Sequence, residues 1–226
     1  MTKALFWDFD GTLSFPNQSF STALDKALKE SGISVSQASA RSFLEQAYSW
    51  RTPQIAYPDR CGSLWWDSFF ETIGLFCIQQ GVSSSHLPQI CKRVREILID
   101  VSNYQLYEDT KETLEQCLER GYENYLITNN YPEILQNLEL LGIKQYFTDF
   151  TVSSHIGYEK PRKEFFDYAK QLSNHPEIGY VIGDNPLADI QGGKDAGFVT
   201  IAVHQCTASN AEFYVKQLSQ ILNIIK

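Results

Sequence analysis

The chain has 226 residues, 43% of them hydrophobic, and carries 27 acidic against 19 basic side chains for a net charge of −8. That is enough apolar chain for one good core plus a smaller appended unit, while the acidic balance argues against a nucleic-acid partner, which calls for a basic surface. Five scattered cysteines without a C-x-x-C pair, and four histidines without ligand spacing, argue against a disulfide framework or a zinc site and for reduced thiols in a cytoplasmic protein.

The first predicted element is a strand over Ala4–Phe9. No leader-like segment precedes it and no apolar run reaches membrane-spanning length, so a soluble protein without a membrane partner is expected. The strand runs into Asp8, Asp10 and Gly11. Side chains alternate along a strand, so both carboxylates point the same way where it ends. Two readings fit this fragment alone. Crowded acids at a buried strand end call for a cation or a shared proton, whereas Asp-Gly is also an ordinary turn dipeptide.

A long insertion follows, from about Phe15 to Tyr104, with helical patterns at Ala23–Leu28, Phe43–Tyr48, Leu64–Gln80 and Leu87–Val101 and a loop bearing Pro53 and Pro58. It reads as a four- or five-helix unit occupying 15–104, with 1–14 and 105–226 forming the other body. Trp65, Phe69 and Ile73 share one helical stripe, flanked by Trp66 and Phe70, and helical spacing of this kind ordinarily marks a core face. Trp50 and Tyr57, with Arg51 and Arg60 nearby, fit a core less well and either reach a ligand or lie in a solvated loop.

From about residue 105 strands and helices alternate, which predicts a doubly wound α/β domain. Strands are expected at Asn124–Thr128, Phe150–Ser153, Gly179–Gly183 and Val199–Val203, several of them almost continuously apolar, as parallel strands covered on both faces are. Helical stripes end at Gly121 and Gly142, and another follows Pro161 as a helix-opening proline. In such folds ligands bind beyond the carboxyl ends of the strands. There the chain puts Asp8 and Asp10, then Thr128, Asn129 and Asn130, then Glu159-Lys160-Pro161, then Asp184 and Asp189.

The segments DFDGT, ITNN, YEKP and GDNPLAD, in that order from Asp8 to Asp189, resemble the four motifs of the haloacid dehalogenase-like superfamily. The resemblance is to its phosphatase branch, which carries a helical cap after the first motif. It implies a Rossmann-like parallel-sheet core with an all-α cap, and magnesium-dependent hydrolysis of a small phosphorylated metabolite through an aspartyl-phosphate. By the same resemblance Asp8 is the nucleophile and Asp10 the general acid and base. Thr128 and Asn129 hold the phosphoryl group, and Lys160 offsets its charge. Asp8, Asp184 and the main-chain carbonyl of Asp10 would hold Mg²⁺. Asp189 stands behind them, orienting Lys160 or a water on the metal. The dehalogenases lack the second acid, so Asp10 points to phosphate chemistry. A sugar phosphomutase and a non-catalytic phosphate-binding regulatory protein are the alternatives on this scaffold, and the oligomeric state stays open.

Overall fold

The computed structural model describes residues 2–15, 19–47, 56–208 and 210–225. Its centre is a six-stranded, wholly parallel sheet. The strands are β1 (Lys3–Trp7), β4 (Glu123–Thr128), β5 (Asp149–Val152), β6 (Ile178–Gly183), β7 (Val199–Val203) and β8 (Phe213–Val215), with β2 (Ser14–Phe15) and β3 (Gln105–Leu106) forming a separate ribbon. Their spatial order is β5-β4-β1-β6-β7-β8. The chain fills one side of β1 first and then the other, so β1 is where strand order reverses. A crevice opens at its carboxyl end for that reason.

Alternation along β1 shows why the sheet is covered twice. Leu5 and Trp7 join the larger apolar cluster, whereas Ala4 and Phe6 join the smaller one on the opposite face. Leu126 and Ile182 continue the first face; Ile127 and Val181 continue the second. Helices α5 (Thr110–Glu119) and α6 (Ile134–Leu140) cover the first through Leu114, Cys117, Ile134 and Leu138. After the short α7 (Ser153–Ile156), helix α8 (Lys163–Leu172) covers the second through Phe165, Phe166 and Ala169. Trp7 donates its buried indole N–H to Asn124 Oδ1 at 2.9 Å, so that polar pair is satisfied inside the core.

Between β2 (Ser14–Phe15) and β3 (Gln105–Leu106), which pair antiparallel, lie α1 (Ser19–Glu30), α2 (Gln37–Ala47), α3 (Leu64–Gln79) and α4 (Leu87–Ile99). These four helices pack on one another, and Arg93 of α4 reaches Glu30 of α1 at 2.6 Å. Their apolar residues belong to the same cluster as the first face of the sheet.

The differences from sequence expectation have local causes. β1 stops at Trp7 because the Phe9 carbonyl accepts from the N–H groups of Thr12, Leu13 and Ser14, curling the chain into a turn. Pro161 does not open the following helix: α8 begins at Lys163, and the Lys160–Pro161 peptide bond is cis. The ribbon β2–β3 and the edge strand β8 were not expected, being too short to carry a period. Tyr48, Trp50, Arg51 and Pro53 lie outside the described residues.

Candidate active site

Every predicted site residue sits at the carboxyl edge of the sheet, around one cavity of about 490 Å³. Asp8 leaves β1 while its N–H still donates to Ile182 of β6, and Gly11, at φ +86°, lets the chain double back so that Gly11 N meets Ser14 O at 2.7 Å. Asp8 and Asp10 are thereby turned into the same cavity.

Lys160 is the centre of the arrangement. Its side chain is 2% exposed and its ammonium donates to Asp8 Oδ1 at 2.8 Å, Asp189 Oδ1 at 2.5 Å and the Ile127 carbonyl at 2.9 Å. All three donors are used. Burial alone would lower its pKa, but the Asp189 and Asp8 carboxylates outweigh that and hold it above the ordinary lysine range. The other Asp8 oxygen accepts from Thr12 Oγ1 at 3.1 Å. The Asp8 carboxylate is thus fixed from both ends.

Asp189 is fully buried by a local device. A π-helical turn over Pro186–Gln191 is capped by Asn185, whose Oδ1 accepts from Leu187 and Ala188 N–H. The turn carries Asp189 back so that its second oxygen accepts from Asn185 N–H at 3.0 Å. Gly183, at the end of β6, leaves room for it: a Cβ there would lie 2.3 Å from the Asp189 carboxyl carbon.

Asp10 differs in environment from Asp8. Asn130 Nδ2 donates to its Oδ2 at 2.6 Å, but its Oδ1 is buried with no hydrogen-bond partner among the described residues. Burial first, and the Asp8 charge second, push its pKa up to about 7. Thr128, buried at the end of β4, lines the same cavity and approaches Asn130 Nδ2 at 3.3 Å. Asn129 is turned elsewhere. Its amide brackets the main chain of Lys160, donating to the carbonyl at 3.0 Å and accepting the N–H at 2.8 Å. Its side chain therefore clamps the main chain of Lys160.

Three residues given no role by the sequence reading join this network. They are Thr12 on Asp8, Asn130 on Asp10, and His204 at the end of β7, whose Nε2 lies 2.9 Å from the Thr12 carbonyl oxygen while its ring stacks on Tyr107. The strand-end rule that singled out the aspartates applies equally to His204. Trp65 and Phe69 are buried among the α-helices yet line the cavity, so the choice between core and ligand wall does not arise. Tyr57 and Arg60 line it as well; Tyr57 donates to Glu159 at 2.9 Å, and Arg60 to Glu71 at 2.8 Å.

Asp8, Asp184 and Asp189 each bring a carboxylate oxygen within 4.8 Å of the others. Among the described residues these three carboxylates form an acidic group that could hold a cation, and Asp189 is the most deeply buried of them. An all-oxygen donor set suits a hard ion such as Mg²⁺. Four aspartates around Lys160, with an Asp10 oxygen that has no hydrogen-bond partner among the described residues, fit such an ion.

The chain matches the pattern of haloacid dehalogenase-like hydrolases over residues 2–197. It is a member of that family. Among relatives of this hydrolase, pyrimidine 5'-nucleotidase YjjG of Escherichia coli is 37% identical over 78 residues, 33% of this chain and 35% of that one. Glyceraldehyde 3-phosphate phosphatase of Methanopyrus kandleri is 34% identical over 101 residues, 44% and 43% of the two chains. Each likeness extends over less than half of the relative. The whole fold recurs in the HAD-hydrolase YfnB of Bacillus subtilis, solved with magnesium bound, at a TM-score of 0.77 and 19% identity over 99% of this chain and 98% of that one.

Proposed function

We propose that this hydrolase is a phosphatase that cleaves a small phosphomonoester by way of a phosphorylated Asp8. The observation that carries the reading is the pinning of the Asp8 carboxylate between Lys160 and Thr12, beside a second acid whose pKa is raised to about 7. The two carboxyl groups differ in the way that nucleophile and proton carrier must. The similarity to two phosphatases of known substrate supports the same class.

In the proposed reaction an Asp8 carboxylate oxygen forms a bond to phosphorus as the ester oxygen leaves. Protonated Asp10 gives its proton to that oxygen, so a neutral alcohol departs. Asp10, now ionised, takes a proton from water, whose oxygen attacks the acyl phosphate; phosphate leaves and Asp8 is restored. Lys160 and the Thr128 hydroxyl, with the main-chain N–H groups after β4, face the charge spread over the phosphoryl oxygens. Mg²⁺, held by Asp8, Asp184 and the Asp10 carbonyl, would supply the positive charge that lets a dianionic phosphate enter a pocket of four acids.

The test is phosphate release across a panel of phosphomonoesters, with Mg²⁺ and with chelator, for the natural chain and Asp8→Asn. Release that falls by about 10³ or more in Asp8→Asn, together with an acid-quenched covalent phosphate on Asp8, is expected. Equal release by both proteins would refute nucleophilic Asp8.

A further inference from the structure

The cavity runs well beyond the side chains assigned to the phosphoryl group, and its remaining wall is largely ring and aliphatic carbon. Phe20 of α1, Leu44 of α2, Tyr57, and Trp65 and Phe69 of α3 form it. Resting on the phosphatase reading above, we propose that the group leaving from phosphate is a neutral nucleoside, and hence that the substrate is a nucleoside monophosphate.

Charge narrows the choice first. Among the described residues lining the cavity the cations are Lys160 and Arg60. Lys160 has its three N–H bonds committed at the phosphate end, and Arg60 is turned to Ser68 and Glu71. Beyond the catalytic acids the wall adds another, Glu159. Among the described residues, a leaving group with its own carboxylate or second phosphate would meet these acids, and the cation nearest to it would be Arg60, already paired with Glu71.

Polarity narrows it next. A bare sugar or glycerol would leave the aromatic part of that wall without a flat partner. A heterocycle matches that wall, because aromatic faces stack on any flat π-system. The rings of the wall also pack on one another. Trp65 and Phe69 lie nearly parallel with centroids 5.1 Å apart, and Phe20 meets Phe69 edge-on at 5.4 Å. Ser68, Thr72 and Glu159 interrupt the carbon with hydrogen-bonding groups suited to a ribose or a base edge. A volume of about 490 Å³ lies within the range of sites that enclose a whole small molecule. The net charge of −8 favours a mononucleotide over the end of a polynucleotide.

Binding separates this inference from the catalytic reading, since it needs no turnover. Calorimetry on Asp8→Asn with Mg²⁺ would compare UMP, CMP, AMP and GMP with ribose 5-phosphate, which keeps phosphate and sugar but lacks the base, and with 2-phosphoglycolate. At least one nucleotide is expected to bind tenfold or more tightly than ribose 5-phosphate, with 2-phosphoglycolate weaker still. Phe20→Leu in the same protein should shrink that nucleotide advantage at least threefold; if that variant does not fold, Tyr57→Leu provides the same readout. Ribose 5-phosphate or 2-phosphoglycolate binding as tightly as every nucleotide, or no nucleotide binding at all, overturns the inference. Tight nucleotide binding without phosphate release from the natural chain would instead remove the phosphatase reading and leave this one standing.

Discussion

Asp8 and Asp10 are two residues apart and chemically identical, yet their surroundings divide them. Asp8 has a cation and a hydroxyl on its oxygens, whereas Asp10 has one amide and one oxygen with no hydrogen-bond partner among the described residues. The raised pKa of Asp10 has a consequence for stability. In the metal-free folded chain Asp10 keeps its proton up to about 7, while the unfolded chain releases it near the ordinary 3.8. Between those values the folded state binds more protons, so Asp10's contribution is present at the acid end and is lost as pH rises. About three pKa units correspond to a loss of the order of 2–4 kcal/mol by pH 8. Asp10→Asn in chelator should therefore melt several degrees above the natural chain at pH 8, with the gap closing towards pH 4. Parallel melting curves across that range would contradict this. At this scale the sequence pointed to the acids, Thr128 and Lys160 because strand-end chemistry is local. It could not separate the Asn129 side chain, which clamps Lys160, from Asn130, which reaches Asp10, since neighbouring asparagines differ only in where the fold turns them.

The elements that carry these residues depend on a few close approaches. The π-helical turn over Pro186–Gln191 can return Asp189 to Lys160 only because Gly183 has no side chain. Gly183→Ala should keep the secondary structure, since the residue lies in a strand. It should displace the Asp189 carboxyl and leave Lys160 with one fewer partner. Turnover is expected to fall at least tenfold with a lowered melting temperature, and Asp189→Asn should reproduce the loss of turnover. Unchanged kinetics in Gly183→Ala would mean that the turn shifts freely. Strand positions were legible because buried parallel strands are continuous apolar runs: β7 was expected at Val199–Val203 and lies there, and β4 and β6 begin one residue earlier than expected. The π turn was not legible. Pro186 and Asn185 signal a helix start, but nothing in these residues distinguishes the wider winding from an ordinary helix.

Across the whole molecule, the four helices between β2 and β3 share an apolar cluster with the sheet, and polar contacts join them to it. Glu133, beside the start of α6, accepts the indole N–H of Trp66 at 2.9 Å and also binds Arg95, whose guanidinium lies 5.3 Å from the centre of the Trp66 ring. Glu133→Ala removes the acceptor from a partly buried N–H, a cost of about 1–2 kcal/mol. That should lower the melting temperature by ~2–6 °C for a chain of this size and alter tryptophan emission. An unshifted melt would show that the contact adds nothing to the join. The insertion was readable from sequence as a helical stretch between two strand signals, whereas the particular pairings that join it to the sheet were not. Glu133 and Trp66 are 67 positions apart and neither stands in a motif.

The two-residue ribbon has a bearing on descent. Ser14 faces Leu106 and Phe15 faces Gln105, so the polypeptide departs from the sheet and re-enters it through neighbouring, hydrogen-bonded doorways. Any foreign segment whose ends can lie ~5 Å apart could be spliced at that junction without reordering a single strand.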